Sequence, residues 1–472
     1  MSEEKDRYFS DSSIKVLISR YESMISGMQK CYFDVDEFEE IIDHYLSAGR
    51  HNRAYIAVQN ALRQHPSSIS LQLKMAVILN EKSKPLESLN ILRTLEKIEV
   101  NNPEIYFTKG IALNLAGREK EAIKQFNRAI MLTDDGKAEL MYNIAMVFEQ
   151  KNEYHTALDF MLRAYELEPA NLSFIYDIAY CYERSGESDK SVEYYNKYLD
   201  IDPFSENVWY NLGVVYNRTE DYERAIEAYD YAIALDDEYS SAWFNKANTL
   251  ANSGSYDAAI EVYKQLLFLE ENNEQVVCYI GECYEKLEQW DRALEYYNRT
   301  IKLNPDYADA WLGMGMVMFS VGDYPQSLIH VKKALELHPE NPEYWYATGN
   351  INVKLGLMRD ALKAYRKAVS IDPGDLESWV NLAETLQDMK DHEGAIRTLE
   401  AASDANPGMA YINYRLAGHY LMAGNNEMAG HCLSLALSQD HEMYREFLEW
   451  YPGAARKKIV RKILKAYGKK SG

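Results

Sequence analysis

The chain contains few residues that interrupt helices, with only 23 glycines and 12 prolines among 472 residues. Its five cysteines are odd in number, lie far apart for the most part, and include no Cys-x-x-Cys pair. This usage is typical of a reducing compartment and argues against a disulfide framework or a zinc site. No apolar run approaches the roughly 18 residues that a membrane span needs, and residues 1–13 are too polar for a signal peptide. These absences predict a helical, cytoplasmic protein.

Sequence signatures of catalysis are missing as well. The chain has no Gly-x-Ser-x-Gly elbow, no Walker loop and no dinucleotide-binding fingerprint. The ten histidines are dispersed, and the closest group, His419, His431 and His441, has the wrong spacing for metal ligands on one helix face. We therefore expect a protein that is not an enzyme and that carries neither a cofactor nor a metal.

The charge is strongly one-sided, with a formal net charge of −22. An acidic surface repels nucleic acid and anionic membranes, so the sequence favours protein partners that are basic or extended. The exception is the segment 456–472, which holds eight Lys or Arg and no acidic residue. Two interpretations of this segment stay open: contact with an anionic surface, or the solvated side of a capping helix.

A pattern of large and small residues recurs every 34 residues. Trp209, with Leu212, Gly213 and Tyr216 behind it, is followed one period later by Trp243 and then by further copies. The eighth position of the period is Gly in five copies and Ala in most others, and the twentieth is always Ala or Ser: Ala54, Ser88, Ala122, Ala157, Ser191, Ala225, Ala259, Ala293, Ser327, Ala361, Ala395 and Ala429. Two closely packed helices per period explain the small residues, because a larger side chain would force the helices apart.

This pattern resembles the tetratricopeptide-repeat family, and specifically a bacterial-type protein with many repeats and no catalytic domain. The resemblance implies an all-α solenoid of about twelve helix-turn-helix units in a right-handed superhelix. We count repeats beginning at residues 35, 69, 103, 138, 172, 206, 240, 274, 308, 342, 376 and 410. The predicted organisation is an N-terminal capping helix (1–34), twelve repeats (35–443) and a basic C-terminal capping helix (444–472).

Some repeats depart from the family pattern. The first has Phe38 at position four and Ile42 at position eight, the second has Gln72 at position four, and the tenth has Asn352 at position eleven. Because these positions normally hold the packing residues of the unit, we expect looser packing there.

The family places ligands in a concave groove lined by positions 2, 5, 6, 9, 12 and 13 of the first helix of each repeat. In repeats four to eight these positions are rich in Tyr and Asn, and the predicted partner-binding residues are Tyr142, Asn143, Tyr176, Asp177, Tyr180, Tyr210, Asn211, Asn217, Arg218, Phe244, Asn245 and Asn248. An amide side chain donates and accepts at once, so it can pair with a peptide backbone. The arrangement is similar to the asparagine ladder of the O-linked N-acetylglucosamine transferases.

Other interpretations of the same residues stay open. The position-six Asn residues could be polar side chains on a solvated face, and the position-five aromatics could pack between adjacent first helices. The carboxylate clamp of chaperone-binding members is missing, because Asn143 is followed in the next repeat by Ser173 and Asp177 where cations are required. The favoured function is a scaffold that binds a peptide or helix of a partner protein; the alternatives are self-assembly as a homo-oligomer and an auxiliary subunit of an enzyme complex.

Overall fold

The computed structural model describes residues 2–27 and 31–467, with side chains described from residue 14 onward. All regular structure in these ranges is helical. The chain forms two compact units, Met1–Val215 and Tyr216–Gly472. None of the helices in the described ranges is both long and apolar enough to cross a membrane.

The first unit is built from twelve helices, the last of which contains the boundary between the units. They are α1 Ser2–Ile25, α2 Val35–Ser47, α3 His51–Gln64, α4 Ile69–Glu81, α5 Pro85–Ile98, α6 Pro103–Leu115, α7 Glu119–Leu132, α8 Lys137–Glu149, α9 Tyr154–Leu167, α10 Leu172–Arg184, α11 Ser188–Ile201 and α12 Glu206–Arg218.

The second unit continues the same alternation and ends in shorter elements. Its elements are α13 Tyr222–Leu235, α14 Ser240–Asn252, α15 Tyr256–Leu269, α16 Glu274–Lys286, α17 Trp290–Leu303, α18 Ala308–Ser320, α19 Tyr324–Leu337, α20 Pro342–Lys354, α21 Met358–Ile371, α22 Leu376–Asp388, α23 His392–Ala405, α24 Ala410–Met422, α25 Asn426–Gln439, α26 Tyr444–Trp450, a 3₁₀ turn Pro452–Arg456 and α27 Lys458–Tyr467.

From α2 to α25 the chain alternates between a 13-residue helix, here called A, and a 14-residue helix, called B. Twelve consecutive A/B pairs confirm the predicted all-α solenoid of helix-turn-helix units. Each pair buries an apolar stripe that it cannot cover alone, so the stack is held by contacts between sequence neighbours. The right-handed superhelix stays a prediction.

The small residue at position eight makes room for an aromatic ring at position 24 of the same repeat. A Cβ atom built on Gly349 would lie 2.3 Å from Cε1 of Tyr365, and one built on Gly110 would lie 2.4 Å from Cε1 of Phe126. Both rings are almost fully buried. In these two repeats the A-helix backbone therefore packs directly against an aromatic ring of the B helix.

A second regular contact ties several repeats to the turn before them. The indole Nε1 of Trp345 donates to the carbonyl oxygen of Pro339 at 2.7 Å, six residues earlier. Other repeats make the bond at the same spacing: Trp209 to Pro203, Trp243 to Asp237, Trp311 to Pro305 and Trp379 to Pro373. In these repeats the position-four residue therefore satisfies a carbonyl group of the turn that follows the preceding B helix.

The repeats expected to be loose keep much of their packing. Gln72 donates from Nε2 to the carbonyl oxygen of Pro66 at 2.9 Å, which reproduces the tryptophan contact with an amide. Phe38 and Ile42 are completely buried, and Asn352 is buried as well. The expectation of loose packing is wrong for Phe38 and Ile42, because the side chains of α1 and the first repeat fill the space around them.

Further helices flank the twelve pairs. At one end, α1 buries Leu17 and Tyr21 against the first repeat, while residues 28–30 of the predicted capping helix lie outside the described residues. At the other end, α26, the 3₁₀ turn and α27 stand where one capping helix is predicted, and residues 468–472 are not described. The apolar side of α27 packs on the last repeats through Ile459 and Ile463. Its Lys and Arg residues are mostly exposed. The division into caps and repeats at residues 34 and 443 stays a prediction.

Candidate functional site

Side chains on neighbouring A helices of the first unit are joined by hydrogen bonds, which we call rungs. The hydroxyl of Tyr142, at position five of repeat four, donates to Oδ2 of Asp177, at position six of repeat five, at 2.5 Å. One repeat later, Nδ2 of Asn211 donates to the hydroxyl of Tyr176 at 2.9 Å. Four of the predicted partner-binding residues therefore lie on one face of the A helices and contact each other in pairs.

The second unit repeats this geometry. Nδ2 of Asn381 donates to the hydroxyl of Tyr346 at 3.3 Å and to Oδ1 of Asn350 at 3.2 Å. The contact between position nine of one repeat and position six of the next recurs as an ion pair, with Nη1 of Arg415 2.8 Å from Oε1 of Glu384. In the first unit the equivalent positions hold Lys74 and Asp43, 2.5 Å apart. The A-helix face thus carries a ladder whose rungs differ in chemistry but share positions.

The aromatic residues at position five pack between A helices, as one interpretation of the sequence expected. The ring of Tyr142 lies 5.0 Å from that of Phe174, and the ring of Phe244 lies 5.9 Å from that of Tyr279. Each rung hydrogen bond contributes only about 0.5–1.5 kcal/mol. The position-five and position-six side chains therefore help to join neighbouring repeats, and the face that they present is ordered before any partner arrives.

Hydroxyl groups fix the orientation of several amides in the second unit. Oδ1 of Asn217 lies 2.8 Å from the hydroxyl of Thr249, whose one proton it shares with the carbonyl oxygen of Asn245 at the same distance, and Oδ1 of Asn248 accepts a hydrogen bond from the hydroxyl of Tyr263. Tyr263 is the position-24 residue of its repeat, so its hydroxyl passes beside the small eighth residue and reaches the A-helix face. With Oδ1 engaged, Nδ2 of both amides remains to donate to an acceptor.

The other predicted residues differ in exposure. Asn143 and Arg218 are exposed, and a second group is partly buried: Tyr180, Tyr210, Phe244 and Asn245. Burial raises the pKa of the Asp177 carboxyl, and the hydrogen bond from Tyr142 opposes that rise. Burial, reinforced by the charge of Asp177, also raises the pKa of Glu149. The face of repeats four and five therefore concentrates negative charge at some electrostatic cost.

A second acidic group lies on the A helices of repeats eight and nine. Its members are Glu282 and Glu285 of α16 and Asp309 of α18. The hydroxyl of Tyr297 donates to Oε2 of Glu285 at 2.6 Å, and the hydroxyl of Tyr344 donates to Asp309. Part of the Glu282 side chain is open to solvent, yet the surrounding protein and then the charges of Asp309 and Glu285 raise the pKa of its carboxyl to about 7.

The predicted partner-binding residues do not include this acidic group, although the sequence positions of its members indicate that it lies in the groove. Glu282 and Glu285 occupy positions nine and twelve of the A helix, which the family pattern assigns to the groove. Asp309, at position two of the next repeat, completes the group. Its members come together only because neighbouring A helices stack. Across the described residues, no cluster of three His, Cys, Asp or Glu is arranged to hold a metal ion.

Replacing Glu282 with glutamine should stabilise the folded chain above neutral pH. In the folded chain the pKa of the Glu282 carboxyl exceeds its ordinary value near 4.5. Glu282 therefore ionises at lower pH in the unfolded chain than in the folded chain, and the folded state loses stability as the pH rises towards 7. Urea unfolding of wild type and Glu282→Gln should therefore agree near pH 4.5 and favour the variant at pH 8. Glu295→Gln, an exposed change on the next helix, is the control. Parallel pH profiles for wild type and Glu282→Gln would contradict the expectation.

The repeats, the small residues between their helices and the ladder of rungs define a repeat solenoid. Independent family models agree: models described as tetratricopeptide repeat match residues 138–171, 172–205, 208–274, 276–307, 314–375, 353–408 and 386–448. Together they cover well over half of the chain, and the chain belongs to the tetratricopeptide-repeat family.

Individual relatives are similar over limited stretches. Photosystem I assembly protein Ycf3 of Synechococcus elongatus is 32% identical over 66 residues, which are 14% of this chain and 38% of that protein. The chain thus spans well under half the length of this curated relative. Among solved structures, yeast Tom70 is 14% identical with a TM-score of 0.46, covering 91% of this chain and 98% of that chain. YrrB, described as a TPR protein with an unusual peptide-binding site, is 23% identical with a TM-score of 0.31, covering 42% of this chain and 97% of that one.

Proposed function

We propose that the chain is a protein-interaction scaffold whose A-helix faces in repeats four to eight bind an extended or helical segment of a partner protein. One observation carries the proposal: Tyr142, Tyr176, Asp177 and Asn211, at positions five and six, are partly exposed and joined in pairs by rungs. A surface that is ordered before binding loses less side-chain entropy when a ligand arrives. The proposed site comprises one face on each compact unit.

The chemistry of these faces favours a partner with hydrogen-bond acceptors and positive charge. In the second unit, the oriented amides of Asn217 and Asn248 keep N–H donors for backbone carbonyl groups of a peptide. In the first unit, the carboxyl groups of Asp177 and Glu149 favour a Lys or Arg side chain, which would lower their raised pKa values. The face of the first unit therefore favours a basic peptide segment, and that of the second unit favours an extended one. The five cysteines, none of which forms a disulfide, fit the cytoplasmic setting that we propose for the protein.

Affinity purification with a face variant tests the proposal. Asn143, Asn211 and Asn245, all at position six, are replaced by alanine in the full chain, and bound proteins are compared by mass spectrometry and crosslinking. We expect the loss of at least one partner that crosslinks directly to these A helices in the wild type. The matched control replaces three exposed asparagines of B helices, Asn90, Asn196 and Asn298, and should keep that partner. An unchanged partner set in the face variant would refute the proposed site.

A further inference from the structure

The helix α26 begins where a thirteenth repeat would begin, one repeat length after Ala410. Its fourth residue, Phe447, is buried and its ring lies 5.6 Å from that of Tyr414, as expected for an A helix. The helix nevertheless stops at Trp450 after seven residues, because Pro452 cannot continue it and disfavours helical backbone at Tyr451. The truncation places Trp450 at the C-terminal end of α26, beside the A helices of repeats eleven and twelve.

Trp450 sits on the rung formed by Glu384 and Arg415. Its indole Nε1 donates to Oε1 of Glu384 at 3.0 Å, and the guanidinium carbon of Arg415 lies 4.4 Å from its ring centroid. The other aromatic contact of Arg415 is Tyr411, with the guanidinium carbon 5.1 Å from its ring centroid. A charge-assisted hydrogen bond and a cation–π contact therefore recognise both features of an indole, its N–H group and its ring.

The backbone beneath the ring is shaped for this contact. A Cβ atom on Gly418 would lie 2.2 Å from Cζ3 of Trp450, so any larger residue at this position would displace the indole. The imidazole of His419 lies 5.6 Å from the indole and is 3% exposed, and its Nδ1 has no hydrogen-bond partner among the described residues. Glu384, Arg415 and Gly418 together form a shallow pocket, here called the seat, that holds one tryptophan side chain.

The helix that supplies Trp450 is seven residues long, and Phe447 is its one buried residue. Tyr444, Leu448 and Trp450 are partly buried against the same core. A cavity of about 40 Å³ remains beside the helix, lined by Tyr411, Tyr414, Arg415, Met443, Glu446, Phe447 and Trp450. Short length, a single fully buried residue and a pocket that leaves part of the helix uncovered favour detachment of α26 without unfolding of the repeats beneath it.

We propose that Glu384, Arg415 and Gly418 form a tryptophan-recognition site, filled in this structure by Trp450, which accepts a helical, tryptophan-bearing segment of a partner protein when α26 moves away. The proposal goes beyond the faces of repeats four to eight and shares no residue with them. Trp450 demonstrates the chemistry of the occupant, because it already makes the hydrogen bond to Glu384 and the contact with Arg415.

A fluorescently labelled synthetic peptide of residues 441–455 serves as the probe. Its affinity is measured by fluorescence anisotropy for the full-length wild type and for full-length Trp450→Ala, in which the seat is empty. We expect binding to the variant at least tenfold tighter than to the wild type. The same peptide with alanine at position 450 should lose that advantage. Adding Glu384→Gln to the variant should weaken binding by about tenfold, while Asp388→Asn, an exposed change on the same helix, should not.

The proposal fails if the intact and alanine peptides bind alike, if Glu384→Gln has no effect, or if a folded Trp450→Ala chain binds no peptide. Circular dichroism establishes whether the variant is folded. If it is not, hydrogen exchange of residues 444–451 in the wild type decides: excess intact peptide should accelerate exchange there, and unchanged exchange overturns the proposal. Because the proposed function is tested with substitutions in repeats four to seven, the two proposals can fail independently.

Discussion

Replacing Gly110 with alanine will destabilise the first unit by about 1–3 kcal/mol, the cost of overpacking a filled core. The new Cβ atom would lie 2.4 Å from Cε1 of Phe126, far inside van der Waals contact. Phe126 cannot retreat easily, because its ring meets those of Phe148 and Phe160 edge-on at 5.7 and 6.5 Å. Urea unfolding followed by circular dichroism measures the loss.

The matched control for this prediction is Gly430→Ala in helix α25. Its Cβ atom would meet only the ends of two isoleucine side chains at 3.3–3.4 Å, which can adjust. Alanine is favoured over glycine inside a helix by roughly 0.5–1 kcal/mol, so this variant should match or exceed wild-type stability. In a Phe126→Val background Gly110→Ala should cost less than it does in the wild type, because the clash is with that ring. Equal effects of the Gly110 and Gly430 variants would show that A/B packing does not depend on the eighth residue.

Lowering the pH will loosen the last repeat through His419. Burial, and then the positive charges of Arg415 and His392, lower the pKa of this imidazole from 6.5 to about 4. Between pH 6.5 and pH 4, His419 is protonated in the unfolded chain but neutral in the folded chain. The stability contributed by neutral His419 is therefore lost as the pH falls from 6.5 towards 4. At 1.36 kcal/mol for each unit of pKa difference, the loss reaches at most roughly 3 kcal/mol.

Hydrogen exchange of the α24 amides is the measurement for this prediction, because it reports opening of the last repeat rather than of the whole chain. Wild type should exchange faster at pH 5 than at pH 7.5 after correction for intrinsic rates. His419→Phe keeps a ring beside Trp450 but does not titrate, so it should show a smaller change. His431→Gln, on an exposed position of α25, should behave as wild type does. An identical pH response of wild type and His419→Phe would refute this role of His419.

The sequence predicts the fold well because each repeat supplies its own packing rules. The small residue at position eight and the aromatic ring at position 24 lie in one repeat, so periodicity alone brings them together. The rungs are harder to predict, because they depend on how neighbouring A helices are aligned. Nothing in the period says that the hydroxyl of Tyr142 reaches Asp177 or that Glu384 meets Arg415. The sequence identified the face and its residue types, but it did not reveal that these side chains bind each other.

The contacts of Trp450 are hard to predict for a different reason. The thirteenth repeat is incomplete, so the full pattern does not extend to it. Phe447 stands at its fourth position, but Ile463 occupies the twentieth, where every complete repeat has Ala or Ser. A weaker criterion, the position-four aromatic one period after the last repeat, would have located α26.

The hydrogen bond from position four to the carbonyl six residues earlier can form only when the turn between repeats has a fixed length. A donor such as Trp345 reaches Pro339 only if the turn keeps its length, so an inserted residue would cost this bond. The one turn with an extra residue, between Thr133 and Lys137, precedes a repeat that has Met141 at position four, and methionine has no N–H or O–H to donate. Turn length in this solenoid is therefore fixed repeat by repeat, and new loops should be tolerated best before repeats whose fourth residue is Met141, Ile175 or Val277.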